Sequence, residues 1–186
     1  MKKYIKTIVL QKNEYEHLKN SIFAECHLLK YINYYYDTPD FSSIKNNSAF
    51  YIQHFGMSGT TVNRKYSKED PCCITETRSL TDGGINERLV RKLLLNRVGE
   101  LTFERYIIST DQARFILDKN TYLNIVDYEI IIETVDKPSF LNNEKISRFG
   151  EYLNLCFPSR EISFSNTCTK EKSQRFFDAK MECNCY

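Results

Sequence analysis

Several features that define large classes of protein are missing from this sequence of 186 residues. No apolar run approaches the ~18 residues of a membrane-spanning helix. Lys and Arg together number 26 against 24 for Asp and Glu, and this balance excludes a strongly basic nucleic-acid-binding arm but allows a local basic pocket. Gln11 interrupts the short apolar stretch after the first two lysines, which does not fit a signal peptide. We therefore expect a cytoplasmic protein that binds neither membranes nor nucleic-acid polymers.

The cysteines do not form a known disulfide or zinc pattern. There are seven, an odd number, and only three histidines. A structural zinc site needs Cys or His pairs at regular spacing, whereas Cys72 and Cys73 are adjacent and Cys183 and Cys185 lie near the end of the sequence. We expect these thiols to be reduced.

Short strand-like runs dominate the hydrophobic pattern. Alternating, β-branched or aromatic residues predict strands at 3–10, 31–36, 49–55, 60–66, 73–80, 101–108, 114–118 and 126–135, and a last one around Ile162 and Phe164. Strands and helices do not alternate regularly, which argues against a parallel sheet. Short antiparallel strands favour a barrel or sandwich. We predict one α+β domain over 1–180, built around an antiparallel barrel, and a Cys-containing tail at 181–186.

Helix and turn signals lie between these strands. Asn13 and Glu16 have the spacing of a capping box, and the apolar residues behind them recur at intervals of three and four as far as Leu29. The other predicted helices begin at Asp82, Pro138 and Lys170. Asp37–Asp40 reads DTPD, which predicts a structural turn at the end of its strand.

Motif blocks occur in the order and spacing of a known family. Tyr34–Phe41 reads YYYDTPDF, Gly99–Ser109 reads GELTFERYIIS, Asp127–Glu133 reads DYEIIIE and Lys172–Phe176 reads KSQRF. In these blocks the sequence resembles the CYTH family of triphosphate tunnel proteins, which includes thiamine triphosphatases, class IV adenylate cyclases and inorganic triphosphatases. The resemblance extends over nearly the whole chain. It implies a closed eight-stranded antiparallel barrel, with flanking helices, whose lumen is a tunnel.

Several charges of the family's tunnel are replaced in this sequence. The family carries two glutamates in an E-x-E-x-K motif on its first strand. Their counterparts here are Lys2 and Tyr4 or, one residue later, Lys3 and Ile5. The two arginines of the family's L-R-I-R strand correspond to Tyr51 and Gln53, and the middle acid of its E-x-E-x-E motif corresponds to Ile131.

Other charged positions of the family are retained. The resemblance implies phosphate-binding roles for Lys65, Arg105, Lys172 and Arg175, and metal-binding roles for Glu129, Glu133 and Asp118. Alternation along a strand puts Glu129 and Glu133 on one face. We expect these two glutamates, together with Lys65 and Arg105, to point into the lumen. The family has an acid in the strand after the one that carries Lys65. The corresponding residue here is Glu76 in one register and Thr75 in the other.

These residues predict a protein that binds a triphosphate, a nucleotide or another polyanion, with weak or no metal-dependent hydrolysis. Each lost charged contact removes ~1.5–3 kcal/mol. Two glutamates and two arginines together therefore remove on the order of 6–12 kcal/mol if the losses add, and ~1.4 kcal/mol is a tenfold change in rate. The family implies Mg²⁺ or Mn²⁺, and we expect weak binding of either. An active metal-dependent triphosphatase and a non-catalytic protein-interaction module remain alternatives.

Overall fold

The structure, a computed structural model, describes residues 2–69, 73–81, 94–111, 113–134 and 170–183. The predicted helices that begin at Asp82 and Pro138, the predicted strand around Ile162 and Phe164, and Cys185 lie outside these ranges. Within them, no helix is both long enough and apolar enough to cross a membrane. The described thiols of Cys26, Cys73 and Cys183 form no disulfide.

Eight strands make up most of the described chain. Their bounds are β1 Lys2–Leu10, β2 Leu29–Asp37, β3 Ser48–Phe55, β4 Ser58–Tyr66, β5 Cys73–Thr81, β6 Asn96–Ser109, β7 Arg114–Tyr122 and β8 Ile125–Thr134. Three helices are described, namely α1 Lys12–Asn20, α2 Ser42–Lys45 and α3 Lys172–Cys183. The eight predicted strands that lie in the described ranges are confirmed, most of them with ends that differ by a few residues.

The strands form a closed antiparallel barrel in the order β1-β5-β4-β3-β2-β6-β7-β8. Pairing of Tyr4 through Leu10 with Thr134 back through Tyr128 joins the first strand to the last and closes the cylinder. The predicted fold class is therefore confirmed. Because side chains alternate across each strand, every strand presents one row to the lumen and one to the outside.

Helix α1 covers the outer surface of β1, β7 and β8. Leu18 and Phe23 are fully buried there against an apolar row from these strands. The predicted helix is too long, since the chain leaves helical geometry after Asn20 and Leu29 already belongs to β2. The helix is capped two residues earlier than predicted, where the Gln11 N–H donates to Glu14 Oε2 at 2.6 Å. The apolar spacing continues beyond the helix because residues in the turns that follow it also pack on this outer surface of the barrel.

The predicted turn after β2 is built on one buried carboxylate. Asp37 accepts hydrogen bonds from the backbone N–H groups of Thr38, Ser43 and Ile44 at 2.7, 2.9 and 3.1 Å. It thereby satisfies the otherwise unpaired donors at the start of α2. This side chain has a structural role and does not face the lumen cavity described below.

Helix α3 packs across the mouth of the barrel where β2 ends and β6 begins. Phe176 and Phe177 are fully buried, and the Phe176 ring stacks on Tyr35 with 4.6 Å between ring centroids. Gly99 lies opposite Tyr35 in the sheet and leaves room for that ring. A Cβ atom at position 99 would lie only 2.8 Å from Phe176 Cζ. The absence of a side chain at Gly99 therefore allows α3 to pack against the barrel.

We expect Gly99→Ala to lower the free energy of unfolding by ~1–3 kcal/mol, because the added methyl group overpacks a closed aromatic cluster. Urea unfolding of the two proteins measures the difference. The matched control is the same substitution in a Phe176→Leu background, where the smaller side chain removes the clash and the penalty should shrink. An equal penalty in both backgrounds would show that Phe176 is not the cause.

Candidate anion-binding cavity in the barrel

The lumen contains a small cavity with a cationic lining. Its volume is about 50 Å³, which is room for a few water molecules at most. Among the described residues, the charged groups on its wall are Arg64, Arg78, Arg105, Arg114, Lys172, Glu133 and Glu171. Tyr51, Gln53 and Asn33 add uncharged polar groups. Cations thus outnumber carboxylates on the surface that a small ligand would meet.

One group of charges, which we call the mouth network, connects β1, β4, β5, β7 and β8 to Glu171, the residue directly before α3. Its members are Lys3, Arg64, Arg78, Arg114, Glu76, Glu133 and Glu171. Glu76 accepts from Arg78 Nε at 2.6 Å and from Arg64 Nε at 3.0 Å. Lys3 Nζ lies 2.7 Å from Glu133 and 3.4 Å from Glu76 and so bridges the two acids. Every carboxylate in this network has at least one cation in contact.

A second group, the helix network, connects β6, β7 and β8 to α3. It consists of Arg105, Lys172, Arg175, Asp118, Asp127 and Glu129. Arg105 donates two hydrogen bonds to Asp118, at 2.8 and 2.6 Å, and Lys172 Nζ contacts the same carboxylate. Lys172 Nζ also lies 3.1 Å from Glu129. Here three cations face three acids, and the charges balance.

Arg175 forms the other half of the helix network. Its guanidinium donates to Asp127 at 3.0 and 3.1 Å and to Glu129 at 2.7 Å. Asn120 donates to both acids, at 2.8 and 3.1 Å, and the Tyr122 hydroxyl donates to Asp127 at 2.7 Å. With this many donors, the two carboxylates are held in one orientation.

The cations shift the proton affinities of the lumen acids. Burial alone would raise the pKa of Glu76, but Arg64 and Arg78 hold it well below its usual value. Burial likewise opposes ionisation of Asp118, and Arg105 and Lys172 reverse the effect so that its pKa is lowered. The pKa values of Asp127 and Glu133 are also lowered against the effect of burial, by Arg175 and by Lys3 respectively.

The expected lumen positions of the candidate site residues are correct with one exception. Arg105 and Glu133 line the cavity, and Glu129 is fully buried beside Lys172. Lys65 was expected in the lumen and lies on the exposed outer surface of β4. Its neighbour Arg64 occupies the inward position. A shift of one residue in strand register exchanges the two faces, which is why the motif led to the wrong basic residue.

The structure also resolves the registers that the sequence left open. Ile5 faces the cavity and Lys3 reaches Glu76 and Glu133, so Lys3 and Ile5 take the inward positions of the first strand. On β5 the inward residue is Glu76, which bonds to Arg64 and Arg78. Tyr51 and Gln53 line the cavity, as the alignment of β3 predicted.

The acids expected to hold a dication do not form one donor set. Glu133 lies four positions after Glu129, which is ~13 Å along a strand, whereas the oxygens bound to Mg²⁺ or Ca²⁺ lie within ~2–2.6 Å of the ion. Asp118 and Glu129 are held by Lys172, and Glu133 by Lys3. Within the described ranges, no group of three or more His, Cys, Asp or Glu residues could hold a metal ion. The described residues therefore do not fit the metal site that the resemblance implies.

Several residues of the cavity were not identified from the sequence. Arg78 and Arg114 match no motif residue, and only the alternation of β5 and β7 could have placed them inside. Glu171 immediately precedes the KSQRF block and gave no separate signal. The folded chain brings it to Arg64, with 2.6 Å between Nη1 and Oε2.

Comparison with known proteins gives the family. The CYTH domain family model matches residues 4–145, and the chain belongs to this family. No curated protein matches the sequence significantly.

Solved structures share the fold at low sequence identity. A candidate adenylate cyclase from Bacillus halodurans is 23% identical with a TM-score of 0.67, and the match covers 95% of this chain and 98% of that one. An adenylyl cyclase candidate from Hippeastrum with a dominant triphosphatase activity is 15% identical with a TM-score of 0.64, and the match covers 83% of this chain and 88% of that one. A chain of the Schizosaccharomyces pombe Mediator head module is 9% identical, covers 84% and 96%, and has a TM-score of 0.62.

We expect the protein to lose stability steeply below ~pH 4. The lumen acids bind protons near pH 4 in the unfolded chain, but their lowered pKa values keep them ionised in the folded barrel. The unfolded state therefore binds more protons, and stability falls as the pH drops through the folded pKa values. Melting temperatures between ~pH 6 and ~pH 2.5 measure this effect.

Two variants test the origin of this acid sensitivity. Glu76→Gln removes one titrating lumen acid, so its melting temperature should approach that of the wild type as the pH falls. Glu100→Gln changes an exposed acid outside the lumen and should leave the profile unchanged. A wild-type melting temperature that stays constant from ~pH 5 to ~pH 3 would contradict the linkage.

Proposed function

We propose that this CYTH-family protein binds a short polyanion, such as a triphosphate or the phosphates of a nucleotide, inside its barrel, with little or no metal-dependent hydrolysis. The main support is the cavity wall, which carries Arg64, Arg78, Arg105, Arg114 and Lys172 against two carboxylates. Guanidinium groups suit phosphate because their planar N–H donors match its oxygens.

The most accessible of these groups lie where a ligand would enter. The side chains of Arg78 and Arg114 are 44% and 45% exposed and line the cavity. Arg64 and Arg105 are deeper, with side chains 11% and 15% exposed. A polyanion would therefore meet half-exposed cations first and more deeply buried ones later. Since the cavity holds only about 50 Å³, short anions should fit with the least rearrangement.

Binding without efficient turnover is supported by the state of the acids. Metal-assisted phosphoryl transfer uses carboxylates that are available to ions. In this lumen Lys3, Lys172 and Arg175 already contact the carboxylates that a dication would use. A dication would have to displace these built-in cations. We therefore favour a binding role over the alternative of an active triphosphatase.

A protein-interaction role is the second candidate. The small volume of the cavity favours it, because a site of this size would have to open before it admitted a triphosphate. Absence of polyanion binding in the following experiment would support this alternative.

We expect Arg78→Gln with Arg114→Gln to weaken binding of tripolyphosphate at least tenfold, because two cations at the mouth are lost; tenfold is ~1.4 kcal/mol. Isothermal titration calorimetry without added metal measures the change. Wild-type affinity should also fall as salt rises from ~0.1 to ~0.3 M, since the Debye length falls below ~10 Å.

The matched control for the binding experiment is Lys65→Gln with Lys68→Gln. It removes the same total charge from exposed positions outside the cavity, so it should retain wild-type affinity within about twofold. Equal losses in the two double variants would mean that only net charge matters. No wild-type binding at all would refute the proposed function.

We expect hydrolysis of tripolyphosphate, thiamine triphosphate and ATP to remain near background with Mg²⁺ or Mn²⁺. The reason is the internal pairing of the lumen acids. Phosphate release by the purified protein measures the rate. A metal-dependent turnover of ~1 s⁻¹ or more, within the ordinary range of enzymes, would establish the active-triphosphatase alternative.

A further inference from the structure

Glu171 differs from the other acids of the lumen. It lines the cavity, and its side chain is only 12% exposed. Among the contacts described, its carboxylate bonds to one cation, Arg64, at 2.6 Å, whereas Glu76 contacts Lys3, Arg64 and Arg78. The Glu171 carboxylate thus occupies an N–H donor of Arg64, although both side chains line the cavity.

Glu171 makes this contact from the position directly before a helix. It immediately precedes α3, where a side chain usually accepts hydrogen bonds from the first backbone N–H groups of the helix. Here Gln174 Oε1 accepts from the Glu171 N–H at 3.0 Å. The Glu171 carboxylate extends instead across the lumen to Arg64 on β4, 107 residues away in sequence. The start of α3 therefore delivers an anionic group into the cationic cavity.

We propose that Glu171 is an internal competitor for the anion site, a tethered carboxylate that occupies Arg64 until a ligand displaces it. This inference rests on the proposed binding function. It assigns to Glu171 the role of limiting affinity, so that weak or singly charged anions do not exchange with it and a polyanion with several charges does. The mouth network holds four cations and three acids, and Glu171 is the acid whose charge a ligand would most directly replace.

A purely structural role for Glu171 makes a different prediction. If the Arg64–Glu171 ion pair only fastened α3 to the barrel, its loss would weaken both stability and ligand binding, because the site would loosen. If Glu171 competes with the ligand, its loss should weaken stability without ligand and strengthen binding. The two readouts then move in opposite directions, which a structural contact alone does not produce.

The test is Glu171→Gln, which keeps the size of the side chain and the hydrogen-bonding backbone of the helix start. We expect a lower melting temperature without ligand and a tripolyphosphate affinity at least fivefold higher by calorimetry. Glu182→Gln removes the same charge from an exposed position near the other end of α3 and should leave affinity within about twofold. In an Arg64→Gln background, Glu171→Gln should give a gain at least twofold smaller, because the contested guanidinium is gone.

Each outcome distinguishes this inference from the function on which it rests. Wild-type binding with equal or weaker binding by Glu171→Gln overturns the competitor role and leaves the proposed function intact. No binding by either protein refutes both. If Glu171→Gln does not fold, Glu171→Asp keeps the charge and retracts the carboxylate by one methylene, and it should also raise affinity; unchanged or lower affinity there would overturn the inference.

Discussion

Charge neutralisation inside a closed barrel is the constraint on which the rest of this structure depends. The wall of a closed barrel shields most lumen acids from water, and an unpaired buried charge costs several kcal/mol. Asp118, Glu129 and Glu76 are each 4% exposed or less, and each is bonded to at least two cations. Removing one charged group would leave its partner buried and unpaired, so the stability of each interior charge depends on the others.

This constraint explains how the family's fold persists although its motif charges have changed. Lys3 stands on a strand where the family has acids, and it pairs with Glu76 and Glu133. Lys3 brings positive charge next to two mostly buried acids, so this part of the lumen stays close to neutral.

The fold was largely predictable from the sequence because barrel strands have a short period and the motif blocks are ordered along the chain. The site was less predictable, since its residues depend on register. Arg64 and Lys65 are adjacent basic residues, and only pairing of β4 with its neighbours decides which one faces inward. The ion pairs of Lys3 and Glu171 join residues 130 and 107 positions apart, and no local pattern reports such contacts.

These long separations in sequence affect how the chain folds. Domains with many non-local contacts fold slowly, because distant segments must meet before their contacts form. Arg64 and Asp118 leave the ribosome well before Glu171 and Lys172, their respective partners at the start of α3. A nascent barrel would hold an incomplete set of these interior charges until α3 is translated. Docking of α3 thus completes the interior ion pairs of Arg64 and Asp118.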